Sequence, residues 1–244
     1  MPQRKEFISV IIPAYNESMR ILPSLGRLDE YLSEHFRGFE LIVVNDGSSD
    51  NTQDVVERAK KEIPSIQYLG YRENRGKGYA IRQGVALSTG DLVLVSDADL
   101  STPVEEVEKL LVPYDDGYHV VIGSRGLEAS NIVIRQPWWR ELMGKIFNRI
   151  VRILLLEGFK DTQCGFKLFN GSIGRELFRE AIIDRFAYDV EILCLAMKAG
   201  YKIKEVPVMW LNSPKSTVRP VRDSFRMAKD LVKIRLQKNN LRRS

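Results

Sequence analysis

Two carboxylates one residue apart, Asp97 and Asp99 in Asp97-Ala98-Asp99, follow the apolar run Leu92 to Val95. At the carboxyl end of a buried strand such a pair can share a hard divalent cation, which in turn can hold a diphosphate. Asn45-Asp46 stands in the same relation to another apolar run, Phe39 to Val44. In open α/β sheets ligands bind in the crevice beyond the carboxyl ends of the strands, so acidic residues at those ends point to a site. A lone Asp-x-Asp is more often a solvated turn, and its position after a buried run is what favours chemistry here.

That argument holds only if the runs are strands. Phe7 to Ile12 is short, β-branched and nearly continuously apolar before Pro13, the pattern of a strand covered on both faces. Between it and Phe39 to Val44, Ile21, Leu22, Leu25, Leu28 and Leu32 recur at helical spacing within Ser18 to Phe36, which makes a βαβ crossover. Asp46 to Asp50 supplies a turn and a cap ahead of Val55, Val56 and Ala59. A strand at Ile66 to Gly70, a helix at Gly78 to Leu87 and a strand at Asp91 to Ser96 follow, so an open, mostly parallel sheet is predicted. Beyond Asp99 the alternation loosens: a helix at Pro103 to Leu111, a strand at Val120 to Gly123, an amphipathic segment from Trp138 to Leu156, a helix at Tyr188 to Ala199, a strand at Lys204 to Trp210 and a last helix at Asp223 to Gln237.

The 244 residues, 44% hydrophobic and 28% charged, exclude collagen-like, low-complexity and wholly disordered chains. Cys164 and Cys194 lie far apart, which argues against a disulfide framework or a structural zinc site and for a reducing compartment. Pro13 cuts the first apolar run too early for a signal peptide, and Arg152 and Glu157 interrupt the central one, so neither a leader nor a spanning helix is predicted. The net charge of +5 is unevenly placed: from Arg219 onward nine basic residues face only Asp223 and Asp230, a local +7 that leaves the body at −2. An anionic surface should attract that end. The predicted division is a catalytic unit at 1–218 and a basic amphipathic helix and tail at 219–244.

Four motifs in order, Pro13-Ala14-Tyr15-Asn16-Glu17, Val44 to Asp50, Asn74-Arg75-Gly76-Lys77-Gly78 and Asp97-Ala98-Asp99, resemble those of the family 2 glycosyltransferases of GT-A fold. Gly123-Ser124-Arg125, the run Asp161 to Phe169 and the run Phe186 to Glu191 resemble the dolichyl-phosphate (polyprenyl-phosphate) glucosyl- and mannosyltransferases. The runs Asp161 to Lys167 and Met227 to Leu236 are most similar to the glucosyl branch. The resemblance implies an α/β fold with a Rossmann-like central sheet, helices on both faces and C-terminal amphipathic helices. It implies that Pro13, Ala14, Tyr15, Glu17 and Asp46 cradle base and ribose, that Asp97, Ala98 and Asp99 meet the diphosphate, and that Asp97 and Asp99 hold Mg2+ or Mn2+. Lys77 is either a further charge at the diphosphate or a solvated loop charge. Mannosyl members often carry Gln or His two residues after the Asp-x-Asp, where this chain has Ser101. That departure leaves the metal less completely coordinated, or completed by water, and because the glucosyl branch also departs there it favours UDP-glucose over GDP-mannose as donor.

The implied acceptor is a polyprenyl or dolichyl phosphate. Its second pKa, about 6 by analogy with other phosphate monoesters, makes the attacking oxygen already anionic at neutral pH, so no strong general base is needed. The enzyme must instead hold two anions together and stabilise the departing nucleoside diphosphate. Arg125 matches the family position facing the acceptor phosphate and Arg140 a second one, with Asp161 and Gln163 facing the sugar or the acceptor; Asp161 could alternatively orient Lys167 or an arginine. Direct displacement implies inversion to a β-linked product. The segment from Trp138 is either an interfacial helix or an ordinary core helix. The last helix, with Arg226, Lys229 and Lys233 beside an apolar stripe, is predicted to bind an anionic membrane surface, giving a cytoplasmic, peripherally attached enzyme with or without a membrane subunit. Two other classes fit less well. Nucleotidyl transfer would want a Gly-rich basic loop where Pro13 to Glu17 stands, and nucleic-acid binding would want a recognised motif and a basic body.

Overall fold

The computed structural model describes residues 3–134, 144, 149, 151, 155–156, 158–211, 226–227 and 229–236. Its first half follows the predicted alternation. β1 (Arg4–Ala14), α1 (Ile21–His35), β2 (Phe36–Asp46), α2 (Thr52–Glu62), β3 (Ile66–Tyr71), α3 (Lys77–Leu87) and β4 (Leu92–Val95) form parallel crossovers with β3, β2, β1 and β4 side by side. Alternate residues of each strand enter opposite cores. Val10, Ile12, Leu41, Val43, Leu92 and Leu94 meet one helical layer, while Ile11, Ile42, Val44, Val93 and Val95 meet the other. Burial on both faces explains why these strands read as unbroken apolar runs.

β1 runs through Pro13 instead of stopping before it. The carbonyl of Ile11 accepts from the N–H of Ser96, so two residues on, Pro13 faces the same side, past the end of β4. Its missing N–H therefore removes no ladder bond. α1 is shorter than the predicted Ser18 to Phe36. Residues 17–20 form a turn, with the N–H groups of Arg20 and Ile21 both donating to the Glu17 carbonyl, and the chain becomes extended at Phe36.

The second half contains elements that periodicity does not predict. After α4 (Val107–Asp115), β5 (Val120–Ser124) and β6 (Asn131–Ile134), a four-residue β7 (Lys167–Asn170) inserts antiparallel between β4 and β5. α5 (Gly171–Glu180) starts at once behind an Asn170 cap and is followed by α6 (Tyr188–Lys198). The predicted strand Lys204 to Trp210 is two strands. β8 (Ile203–Pro207) pairs with β5 at the sheet edge, and β9 (Met209–Leu211) leaves it to pair with β6.

Most of Trp138 to Leu156, including Arg140, lies outside the described residues; Val151, Leu155 and Leu156 are described and belong to the core. Within 229–236 the predicted stripe divides. Leu231 and Ile234 are buried in the core, whereas Val232 and Leu236 are 58% and 59% exposed. Among the described residues no helix is long and apolar enough to cross a membrane.

Candidate active site

The carboxyl ends of β1 and β2 are joined by their loops. Asn16 adopts φ +56°, an uncommon conformation for a residue other than glycine. In it the Asn16 N–H donates to Ser48 Oγ (2.9 Å) and the Asn16 Oδ1 accepts the Ser49 N–H (2.8 Å), while the Glu17 N–H donates to Thr52 Oγ1 (2.8 Å). Pro13, Ala14 and Tyr15 thus lead into a fixed turn, with Tyr15 half-buried and Ala14 buried.

Asp46 is buried and fully engaged by the protein. Its carboxylate accepts the N–H groups of Arg75 (2.7 Å) and Gly76 (2.8 Å) and the Asn74 amide (2.8 Å). It thereby fixes the loop ahead of α3. Gly76 sits at φ +115°, and a Cβ there would come within 2.5 Å of the Asp184 carbonyl, so the loop needs glycine. This geometry delivers Lys77 to the carboxylate of Asp97, with which it forms an ion pair. Lys77 is therefore no solvated loop charge.

Asp97 and Asp99 stand just past β4. Burial pushes the Asp97 carboxyl up, but Lys77, then Arg125 and Lys167, outweigh it and hold it below the usual range. Asp99 accepts from Arg20 Nη1 (3.0 Å) and from Ser101 Oγ (2.7 Å). Ser101, at the position of that departure, is thus a hydrogen-bond partner of the second carboxylate. Arg20 also grips Glu17, whose carboxyl is pushed up mainly by burial, against the pull of Arg20 and with a further push from Asp99 and Asp97. Ala98 between the two carboxylates is buried.

The donor set suits a hard cation. Asp97 and Asp99 offer carboxylate oxygens on side chains 34% and 16% exposed, and no group of three or more His, Cys, Asp or Glu placed to hold a metal occurs among the described residues. Mg2+ is commonly bound by one or two carboxylates with phosphate and water completing its shell. The residues fit a cation that arrives with phosphate ligands, and they do not enclose one by themselves.

On the other side of Asp97 is a second arginine system. Arg125, just after β5, donates from Nε (2.6 Å) and Nη2 (3.0 Å) to Asp161. Asp161 is 3% exposed on its side chain and Arg125 28%. Burial pushes the Asp161 carboxyl up, yet Arg125 outweighs it and holds it down at about 2. Asp161 thus binds an arginine, one of the partners anticipated for it, and the Gln163 N–H donates to it as well (3.1 Å). The N–H groups of Lys160 and Asp161 are in turn fixed by Glu205 on β8.

Residues that sequence reasoning did not single out complete the arrangement. Arg20, three residues after Glu17, carries the i, i+3 signal of an ion pair. Gly165 lies so close to Asp97 that a Cβ would strike its carboxylate. Lys167 and Asp189 form a pair at 2.5 Å with side chains 1% and 6% exposed, and Lys167 also donates to the Cys164 carbonyl. The geometry therefore brings together Glu17, Lys77, Asp97, Asp99, Arg125, Asp161 and Gln163, with Asp46 beneath.

Residues 9–178 match glycosyl transferase family 2. The chain is 38% identical to a dolichyl-phosphate beta-glucosyltransferase of Dictyostelium discoideum, over 95% of this chain and 74% of that protein. It is 33% identical to the human protein of the same name, over 94% and 75%. A glucosyl-3-phosphoglycerate synthase from Mycobacterium tuberculosis, crystallised with Mn2+, UDP and phosphoglyceric acid, superposes with TM-score 0.70 at 19% identity, over 96% of this chain and 78% of that one. At that identity the likeness speaks for the fold.

Proposed function

The chain belongs to glycosyl transferase family 2, and from that premise we propose that it transfers glucose from UDP-glucose, with inversion, to a dolichyl or related polyprenyl phosphate. The observation that carries this reading is the 38% identity, over nearly the whole chain, to a relative named for that reaction. The geometry supports it by placing one arginine system beside one carboxylate pair, as two mutually repelling anionic substrates require.

In this reading Pro13, Ala14, Tyr15 and Glu17 line the base and ribose, and Asp46 acts from below by holding the loop 74–76. Asp97 and Asp99 hold Mg2+ or Mn2+, which when bound neutralises charge on the departing diphosphate. Lys77, already at Asp97, would turn its ammonium towards a phosphate oxygen of the donor. Arg125, held flat by Asp161, presents its remaining N–H groups to the acceptor phosphate, with Gln163 alongside; Arg140 is proposed as a second contact. The acceptor oxygen attacks as an anion, so no side chain has to remove a proton or form a covalent link.

We also place residues 1–218 in the catalytic unit and 219–244 at an anionic membrane surface, where Val232 and Leu236 enter the interface and Lys229 and Lys233 flank them. The test is transfer of labelled sugar from UDP-glucose, with GDP-mannose in parallel, to a short polyprenyl phosphate with and without Mg2+ or Mn2+. Glucose in the organic phase is expected. Mannose there would reassign the donor, and donor hydrolysis without lipid product would remove the lipid acceptor.

A further inference from the structure

The pair Lys167–Asp189 is buried, with side chains 1% and 6% exposed, and holds neither substrate in the reading above. Two of its partners are nonetheless decisive for what stands above. Lys167 is in β7 opposite Val95, two residues before Asp97, so its backbone is tied to the strand that ends at the carboxylate pair. Its ammonium donates to the carbonyl of Cys164, which belongs to the segment carrying Asp161, Gln163 and Gly165. That segment rests on Asp97 at Gly165 and holds Arg125 through Asp161. The field of Lys167 reaches both Asp97 and Asp161.

An ammonium so deeply buried is kept in place only by a compensating charge, and Asp189, at the start of α6, supplies it. Tyr188 beside it is buried, and its Cβ methylene would crowd any side chain at Gly78 in the first turn of α3. The start of α6 therefore abuts the start of the helix that carries Lys77.

We propose that Lys167, with Asp189 as its fixed counter-ion, is a positioning residue that sets the distance between the carboxylate pair Asp97/Asp99 and the arginine system Arg125–Asp161. The proposal rests on the glucosyl-transfer reading for what the two systems bind. It assigns to the pair the alignment of donor and acceptor, which appears in turnover and leaves donor binding little changed.

The experiment compares Lys167→Met, Asp189→Leu, the double variant and Asp189→Asn with the wild type. Each single apolar change strands a buried charge, so both lower Tm and turnover. The double variant removes both charges, with Leu matching the branched shape of Asp at a somewhat larger volume, and is expected to regain most of the Tm that either single variant loses. Its turnover is expected to stay at least tenfold below wild type, with KM for UDP-glucose within threefold. Asp189→Asn keeps the shape and an oxygen for Lys167 but not the charge, and is expected to lower Tm less than Asp189→Leu while losing turnover severalfold. Amide hydrogen exchange in 161–166 should quicken in the double variant. Full turnover in the double variant or in Asp189→Asn, or unchanged exchange in 161–166, would overturn the proposal. A wild type that makes no lipid-linked glucose defeats the reaction assigned above, and the exchange measurement still judges the positioning.

Discussion

The carboxylate side and the arginine side of the site are held by different kinds of connection. On the carboxylate side Pro13 to Glu17, Asp46 and Asp97 lie at the carboxyl ends of neighbouring parallel strands, β1, β2 and β4, and the loops bond to each other across those ends. On the arginine side Arg125 follows β5 while Asp161 hangs from a segment fixed by Glu205 of β8 and Lys167 of β7. The first side is set by successive parallel crossovers and the second by segments attached to the antiparallel insertion β7 and the edge strand β8. A substitution on the first should remove a function cleanly, whereas one on the second should disturb position and stability together.

The largest effect is expected where the two sides share a reactant. Replacing both Asp97 and Asp99 by Asn should cut turnover by about 10³-fold or more and abolish metal-dependent UDP-glucose binding, with folding intact by circular dichroism. Arg125→Lys keeps the charge and loses the two-pronged grip on Asp161, and turnover should fall about 10–100-fold with acceptor KM affected more than donor KM. If donor KM moved equally, the division into two sides would be broken.

The arginine side should also show in pH dependence. The folded Asp161 carboxyl, at about 2, lies below its ordinary value of 3.8, so its stabilisation is complete above about pH 4 and is lost as pH falls towards 2. By linkage that is on the order of 2 kcal/mol, and urea midpoints between pH 5 and 2.5 should fall less steeply in Asp161→Asn than in the wild type.

A milder contrast comes from Glu191, which accepts the N–H groups of Ile182 (3.0 Å) and Ile183 (2.9 Å) ahead of the Asp184 carbonyl that lies on Gly76. Glu191→Ala leaves buried donors unpaired and should cost about 1–3 kcal/mol of stability by urea unfolding. The smallest effect belongs outside both sides. Lys229→Glu with Lys233→Glu should weaken binding to anionic vesicles by at least about 1 kcal/mol per charge, leaving turnover on a short soluble acceptor unchanged.

The same contrast explains what the sequence disclosed. Asp97 and Asp46 were legible because burial on both sheet faces makes the strand before each an apolar run, and a strand end is a place with meaning. The Arg125–Asp161 pair was legible only as one of several partners for Asp161, since nothing local in sequence spans the 36 positions between them. β7 was hidden because four residues, one of them a lysine, carry no period, and α5 because Gly171 and Gly174 interrupt its apolar face. Lys167 and Asp189 were visible as residues within family-like runs, but their pairing depends on the antiparallel insertion that the alternation of earlier elements argues against.

That insertion bears on the order in which the chain can be completed during synthesis. Until β7 emerges, β4 is the outer strand of a four-stranded parallel array, and its edge towards β7 is the unpaired backbone of Leu92-Val93-Leu94-Val95, an all-apolar sequence whose nearest charges are the flanking Asp91 and Asp97. At about 5–20 residues per second, the ribosome needs on the order of ten seconds to deliver the segment that covers it. During that interval a nascent chain is open to edge-to-edge association with its neighbours, and the late arrival of Lys167 to Asn170 both closes the sheet against aggregation and brings the two reactive sides into register.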